Sequence, residues 1–198
     1  MRSNQLIRHS GCTLALSMLV ACGGSGGTNN TLPTPKPFAI SSANYTNNGV
    51  MPDAAACTAK GGSNASPQVT LSDLPANTKQ VAVLMDDEVA PCGTGTNACV
   101  HWAVFNLPAT KTQISAGENL SSIPEVKYGT TYDDQTSGYQ GPCPPTNHTY
   151  KLTAYALKES MPVISTTLSK QNSTRASFES AYASHIIDKV TLTGKYPQ

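Results

Sequence analysis

Residues 138–150 combine a stiff backbone with side chains that can contact a polar ligand. This segment, GYQGPCPPTNHTY, holds three prolines, two glycines, a cysteine, a histidine and two tyrosines. Prolines this close together exclude a regular helix or a central strand, because each lacks a backbone donor and fixes φ. The segment is therefore predicted to be a rigid loop that holds His148 and Tyr150 in place. It can form one wall of a pocket, or it can be a proline-rich turn with no function.

Short strands are predicted to position this loop. The run VAVL at 81–84 is continuous and apolar, which indicates a strand buried on both faces, and residues 148–157 alternate between two faces. One helix is predicted at 173–187, because Ser173 and Thr174 can cap it and apolar residues recur at helical spacing. A long loop is predicted at 109–138. The predicted strands are 38–43, 67–71, 80–85, 100–107, 148–157 and 189–196.

This order of elements favours an all-β sandwich with one helix near the C-terminus, before the last strand. The chain of 198 residues is long enough for one domain with a proper core. Its formal net charge is +1, and its 13 Lys and Arg residues are scattered without a basic stripe. Nucleic acid is therefore not an expected partner.

The N-terminus is predicted to be a lipoprotein signal peptide covering residues 1–21. Two arginines precede an apolar run at 12–20 that is too short to span a bilayer. The run ends in LVAC at 19–22, which resembles a bacterial lipobox and implies cleavage before Cys22 and lipidation of its thiol. The alternative is an ordinary signal peptide that is cut nearby. Either reading exports the protein.

Residues 22–37 are predicted to be a flexible tether rich in Gly, Ser, Thr, Asn and Pro, and residues 38–198 to be the folded domain. Gly23 stands where an aspartate commonly retains lipoproteins in the inner membrane. The expected location is therefore the outer membrane, facing the periplasm or the cell surface.

Four cysteines remain in the predicted domain, and they allow three disulfide pairings. Cys92 and Cys99 flank a Gly- and Thr-containing loop that can fold back on itself, which favours a bond between them. Cys57 then pairs with Cys143 and links the proline-rich loop to an early segment. The spacings do not match a zinc site, so no metal is expected.

Three blocks in order resemble the phosphatidylethanolamine-binding protein (PEBP) family, specifically its bacterial Raf-kinase-inhibitor-like members. They are DEVAP at 87–91, HWAVFNLPA at 101–109, and GPCPP at 141–145 followed by HTY at 148–150. NASP at 64–67 and LPANTK at 74–79 match further family segments. Exported members also carry cysteines at the places of Cys57 and Cys143, which supports the pairing.

The resemblance implies a Greek-key β-sandwich with a small anion pocket and no cofactor. Imidazoles that donate hydrogen bonds and become cationic near neutral pH, a tyrosine hydroxyl and loop amides would hold a phosphate-like group. Asp87 would orient a histidine and raise its pKa, or receive an ethanolamine ammonium. The residues carried over are Asp87, Ala90, Pro91, His101, Gly141, Pro144, Pro145, His148 and Tyr150.

Two departures from the family pattern bear on ligand preference. Val89 and Glu88 stand where the family has a second aspartate and its preceding proline, and Thr149 stands where arginine or histidine is usual. Asp86 is an alternative match to the acidic residue of the family motif, although Asp87 aligns with the motif and with Ala90 without a gap.

Three functions are compatible with these residues. The first is a non-catalytic, membrane-tethered binding module for a phosphate-like anion or a phospholipid head group, which could also modulate a protein partner. The second is a surface, adhesion or inhibitor protein whose pocket is vestigial. The third is a hydrolase that uses Asp87, His101 and His148, although no nucleophile motif such as GxSxG or HExxH is present.

Overall fold

The computed structural model describes residues 34–134 and 136–196. The predicted signal peptide, the lipidation site at Cys22 and most of the predicted tether lie outside the described residues. Residues 34–37 are exposed and have no regular structure, whereas Phe38 is buried. The core of the folded unit therefore begins at Phe38.

Strands dominate the described residues. The strands are β1 (Ala39–Ser41), β2 (Gly49–Val50), β3 (Val69–Ser72), β4 (Gln80–Asp87), β5 (Cys99–Pro108), β6 (Gln113–Ile114), β7 (Lys127–Tyr128), β8 (His148–Leu157) and β9 (Ile186–Tyr196). The α-helix is α1 (Arg175–Tyr182), and 3₁₀ turns lie at Asp53–Ala55, Thr58–Lys60, Gly95–Asn97, Leu120–Ser122, Lys170–Asn172 and Ala183–His185.

The strands form a larger and a smaller sheet. The larger sheet has the order β2-β9-β8-β4-β5-β7, and the smaller has the order β1-β3-β6. Neighbours are antiparallel except for β2 and β9, which are parallel. The prediction of an all-β fold with a single helix before the last strand is confirmed.

Both faces of β4 are buried, as its continuous apolar run predicts. Val81 and Val83 pack between the two sheets, together with Leu71 of the small sheet. Ala82 and Leu84 face the opposite side, in a second cluster closed by helix α1. The period of two along a strand assigns each residue to one of these layers.

The predicted helix at 173–187 is too long. Thr174 caps its start and accepts a hydrogen bond from the backbone N–H of Ser177 at 3.1 Å, but the α-helix ends at Tyr182. Ile186 instead pairs with Leu157 and opens strand β9, because a β-branched residue packs well at a sheet position. Within the described ranges, no helix is long and apolar enough to cross a membrane.

The predicted loop at 109–138 is wrong in part, because it contains β6 and β7. Each of these strands has two residues, as does β2. A two-residue strand displays no alternation, and it forms because a neighbouring strand supplies hydrogen bonds.

Candidate functional site

A cavity of about 140 Å³ opens where strands β4 and β5 and the start of β8 meet the proline-rich loop. Seven of the nine residues carried over from the family lie on its wall, all except Ala90 and Gly141. The lining residues are Asp87, Pro91, Cys92, Cys99, His101, Tyr132, Cys143, Pro144, Pro145, His148 and Tyr150.

Sheet register brings three of these side chains together. Asp87, the last residue of β4, lies directly opposite Tyr150 of β8. His148 lies two residues before Tyr150, and therefore on the same face of the strand. Directly opposite side chains in a sheet are close neighbours, so a carboxylate, a hydroxyl and an imidazole share one corner of the cavity.

His101 reaches the cavity through a β-bulge in strand β5. Met85 pairs with Trp102 and the next residue, Asp86, pairs with Val100, so His101 is an extra residue in the ladder. A bulge of this kind turns one side chain away from the regular alternation. The ring of His101 packs edge-on against that of Tyr150, with centroids 5.0 Å apart.

The proline-rich loop and two disulfides form the remaining wall. Cys57 is bonded to Cys143 and Cys92 to Cys99, as the sequence predicts. The bond at Cys143 lies beside Pro144, and the backbone N–H of Cys57 also donates to the carbonyl of Pro142 at 2.9 Å. Both contacts fasten the loop to the segment that carries Cys57.

Ala90 and Gly141 have positions other than those the resemblance implies. Ala90 is exposed and precedes Pro91 through a cis peptide bond. Gly141 is buried behind the wall, where a Cβ would come within 2.3 Å of the carbonyl oxygen of Ala55. Its N–H donates to Oδ1 of Asn64 at 2.6 Å. Gly141 thus allows close packing of the loop and does not contact the cavity.

Sequence reasoning missed three lining residues. Tyr132 packs against the ring of His101, with centroids 4.9 Å apart, but it belongs to a long connection in which no motif marks it. Cys92 and Cys99 are predicted as disulfide partners but not as parts of the wall, whereas Cys143 belongs to the predicted wall segment at 138–150.

Asp87 and His148 form a buried pair in which one ring nitrogen of His148 has no hydrogen-bond partner in the described residues. Nδ1 of His148 donates to Oδ2 of Asp87 at 2.5 Å, and both side chains are 2% exposed. The other oxygen of Asp87 accepts from the backbone N–H of Val89 at 2.7 Å. Nε2 of His148 is buried without a hydrogen-bond partner in the described residues. Because a buried polar atom without a partner costs free energy, this nitrogen is a natural ligand contact.

His101 is neutral in this structure. Burial lowers its pKa to about 4, and the hydrogen bond from Nδ1 to the carbonyl oxygen of Gln140, at 2.8 Å, opposes that effect only in part. The expectation of two imidazoles that become cationic near neutral pH is therefore wrong for His101. Burial also raises the pKa of Tyr150 and of Tyr132, so both are neutral hydroxyls.

Asp86 lies on the opposite face of β4 from the cavity. Its carboxylate accepts from Nε of Arg175 at 2.5 Å and from the backbone N–H of Arg175 at 3.1 Å. Arg175 also contacts Glu88 at 3.2 Å, and Glu88 accepts from Lys151 at 2.9 Å. Asp87 is thus the aspartate of the pocket, and Asp86 belongs to an ion-pair network that secures helix α1.

The two departures from the family pattern lie outside the cavity wall. Neither Val89 nor Thr149 lines it. Thr149 alternates with His148 and Tyr150 and pairs with Lys195 of β9. In the described part of the chain, no three His, Cys, Asp or Glu side chains are grouped as a metal site.

Comparisons with known proteins agree with this architecture. The model of the phosphatidylethanolamine-binding protein family matches residues 41–197. A UPF0098 protein of Chlamydia pneumoniae is 30% identical over 140 residues, which cover 68% of this chain and 84% of that protein. The UPF0098 protein YbcL of Escherichia coli K12 is 38% identical over 109 residues, covering 52% of this chain and 58% of YbcL.

The structural comparison extends to the whole domain. The crystal structure of E. coli YbcL, described as a new member of the mammalian PEBP family, superposes with a TM-score of 0.68 and 25% identity. The match covers 81% of this chain and 98% of YbcL. With the family model spanning most of the chain, this protein belongs to the phosphatidylethanolamine-binding protein family.

Proposed function

We propose that this protein is a non-catalytic binding module whose pocket holds a phosphate-like anion or the phosphate of a phospholipid head group. The observation that carries the proposal is the buried Nε2 of His148, which lines the cavity and has no partner in the described residues. A cavity of about 140 Å³ is small, and it suits a head group better than a drug-sized ligand. The family's name supports binding as the activity.

The pocket has the rigidity that a binding site needs. Three prolines lie on its wall, and two disulfides border it. A preformed wall lowers the entropy that ligand binding would otherwise cost.

The proposal includes export and attachment to a membrane through a lipid on Cys22. Two disulfides in the domain support an oxidising compartment, because such bonds are rare in the cytosol. The tether would hold the pocket near lipid head groups, in the outer membrane facing the periplasm or at the cell surface. Metabolic labelling with a radioactive fatty acid tests the anchor: label in the wild type and none in Cys22→Ala is expected, and equal label contradicts lipidation.

A hydrolase is the second candidate, because an aspartate that orients a histidine is also the arrangement of a general base. The lining residues include no serine or threonine that could act as a nucleophile, so water would have to attack. We expect no turnover of phosphomonoesters or phosphodiesters. Saturable hydrolysis lost in His148→Ala would replace the binding proposal with this one.

Calorimetric and thermal-shift titrations of the purified protein test the binding proposal. Inorganic phosphate and phosphoethanolamine are expected to bind saturably to the wild type and not to the double variant His101→Ala/His148→Ala. Far-UV circular dichroism and a thiol assay would establish that the variant is folded with both disulfides intact. A folded wild type that binds neither probe would contradict the proposal, and the search would then turn to a surface role with a vestigial pocket.

A further inference from the structure

The cavity offers few hydrogen-bond donors for an anion. Pro91, Pro144 and Pro145 lie on its wall and have no backbone N–H. The N–H of Cys92 already donates to the carbonyl of Val89 at 3.0 Å. No lysine or arginine is among the lining residues. The expectation that loop amides supply the donors therefore fails for most of the wall.

Both imidazoles direct their Nδ1 protons away from the cavity. Nδ1 of His101 donates to the carbonyl of Gln140, and Nδ1 of His148 donates to Asp87. In the neutral form, each ring then has a lone pair and no proton at Nε2. A lone pair accepts hydrogen bonds and repels the oxygen of an anion. The unpartnered Nε2 of His148 thus suits a phosphate only when a proton lies between them.

The charge of the surroundings leads to the same conclusion. The carboxylate of Asp87 contacts the ring of His148 directly, so an anion at Nε2 would meet a negative site. The other rings facing the cavity are neutral, and among the lining residues the hydroxyls of Tyr132 and Tyr150 are the remaining side-chain donors. The titratable groups packed around His148 are Asp87 from β4, His101 from β5, Tyr150 from β8 and Tyr196, which pairs with His148 from β9.

We propose that the pocket binds a singly charged phosphate group together with one proton, held on Nε2 of His148 and donated to the anion. The inference rests on the proposed function and names its ligand class: a phosphodiester head group, or a phosphomonoester that arrives with its proton. The proton on Nε2 comes from solvent, the ligand keeps its own protons and its single charge, and no covalent bond of the ligand changes. Asp87 stabilises the imidazolium through Nδ1 and so positions the donor.

Calorimetry of the full-length protein in two buffers with different protonation enthalpies counts the protons. At about pH 8, glycerophosphoethanolamine should bind with uptake of about one proton, so its affinity should fall about tenfold per pH unit. Inorganic phosphate is mostly a dianion at this pH, so it should take up about two protons, one on the ligand and one on His148. A phosphodiester does not bind a proton in this pH range. Any proton taken up with the diester must therefore be on the protein. Uptake with phosphate but not with the diester would overturn the assignment to His148.

Two variants and a control make the test specific. His148→Gln keeps a polar side chain of similar reach but cannot titrate, so its proton uptake should vanish. Asp87→Asn, measured in parallel in case the first variant does not fold, should reduce uptake because the imidazolium loses its carboxylate. Thr149→Val, on the same strand but outside the wall, should match the wild type.

Each outcome can be distinguished. Buffer-independent heat with an affinity that does not change between about pH 7.5 and 8.5 would overturn proton-coupled binding and leave the binding module intact. Absence of any binding by the folded protein would overturn the proposed function and this inference with it.

Discussion

Two consecutive aspartates on strand β4 have opposite environments. Asp86 faces helix α1, where the side chain and the backbone N–H of Arg175 both bond its carboxylate. Asp87 faces the cavity, where it bonds His148. Both aspartates are buried. Burial raises the pKa of Asp86 and the contact with Arg175 opposes that rise.

The difference separates a structural pair from a binding pair. On the helix side, a network of opposite charges continues through Glu88 to Lys151 at the surface. On the cavity side, the chain of contacts stops at Nε2 of His148, which has no partner in the described residues. A network whose members are all bonded stabilises the fold, whereas one that stops at a cavity is arranged for something that binds there.

The largest effect is expected from breaking the helix-side pair. Arg175→Met removes the charged partner of the buried Asp86 carboxylate and leaves it only the backbone N–H of residue 175, so the free energy of unfolding should fall by about 3–5 kcal/mol. The phosphate affinity of the folded protein should stay within about twofold, because the network does not reach the cavity. Denaturant unfolding and calorimetry measure the two quantities.

The double variant Asp86→Leu/Arg175→Met is the matched control, since it removes both charges and should regain most of the lost stability. A loss below about 1 kcal/mol in the single variant would mean that the pair behaves like an exposed one.

The pH dependence of stability should reveal the neutral His101. Its pKa is about 4 in the folded protein and about 6.5 when unfolded, so the unfolded state binds more protons between these values. Stability should therefore be fully present above about pH 6.5 and decline by about 3 kcal/mol as the pH falls to about 4. Unfolding of wild type and His101→Gln across this range isolates the contribution, and parallel curves would contradict it.

A smaller effect is expected from Gly141→Ala, which disturbs the cavity wall from behind. The new Cβ would come within 2.3 Å of the carbonyl oxygen of Ala55, so the loop must shift, at a cost of about 1–3 kcal/mol. Phosphate affinity should fall as well, although Gly141 does not line the cavity. Unchanged affinity, with the same loss of stability, would show that the wall need not be fixed.

The smallest effect is expected from Thr149→Arg, which restores a residue usual in the family. Thr149 faces away from His148 and Tyr150, so stability should change by less than about 0.5 kcal/mol. Phosphate affinity should stay within about twofold, by calorimetry against the wild type. A much tighter complex would mean that an arginine here reaches around the strand to the anion.

The sequence predicts those parts of the fold that depend on local pattern. Apolar runs and alternation identify the long strands β4, β5 and β8, and the position of Asp87 follows from the motif spacing. The end of helix α1 was predicted wrongly, because Ile186 fits a helical face as well as a strand. Ile186 joins strand β9 because it pairs with Leu157, which lies 29 positions earlier in the chain.

The cavity could be predicted only where motifs mark it. The bulge that turns His101 inward depends on the register between β4 and β5, which no local pattern specifies. Tyr132 reaches the cavity from an irregular connection. The direction of each Nδ1 bond, and therefore the lack of an imidazole donor toward the cavity, depends on tertiary contacts with Gln140 and Asp87.

The most direct test of the pocket is a ¹⁵N–¹H spectrum of the histidine ring nitrogens during a titration with inorganic phosphate. His185, which bonds Ser160 and does not line the cavity, is the internal control. We predict that Nε2 of His148 changes from an unprotonated to a protonated shift while its Nδ1 stays protonated, and that His185 does not change. A His148 spectrum that stays constant at saturating phosphate would contradict the account.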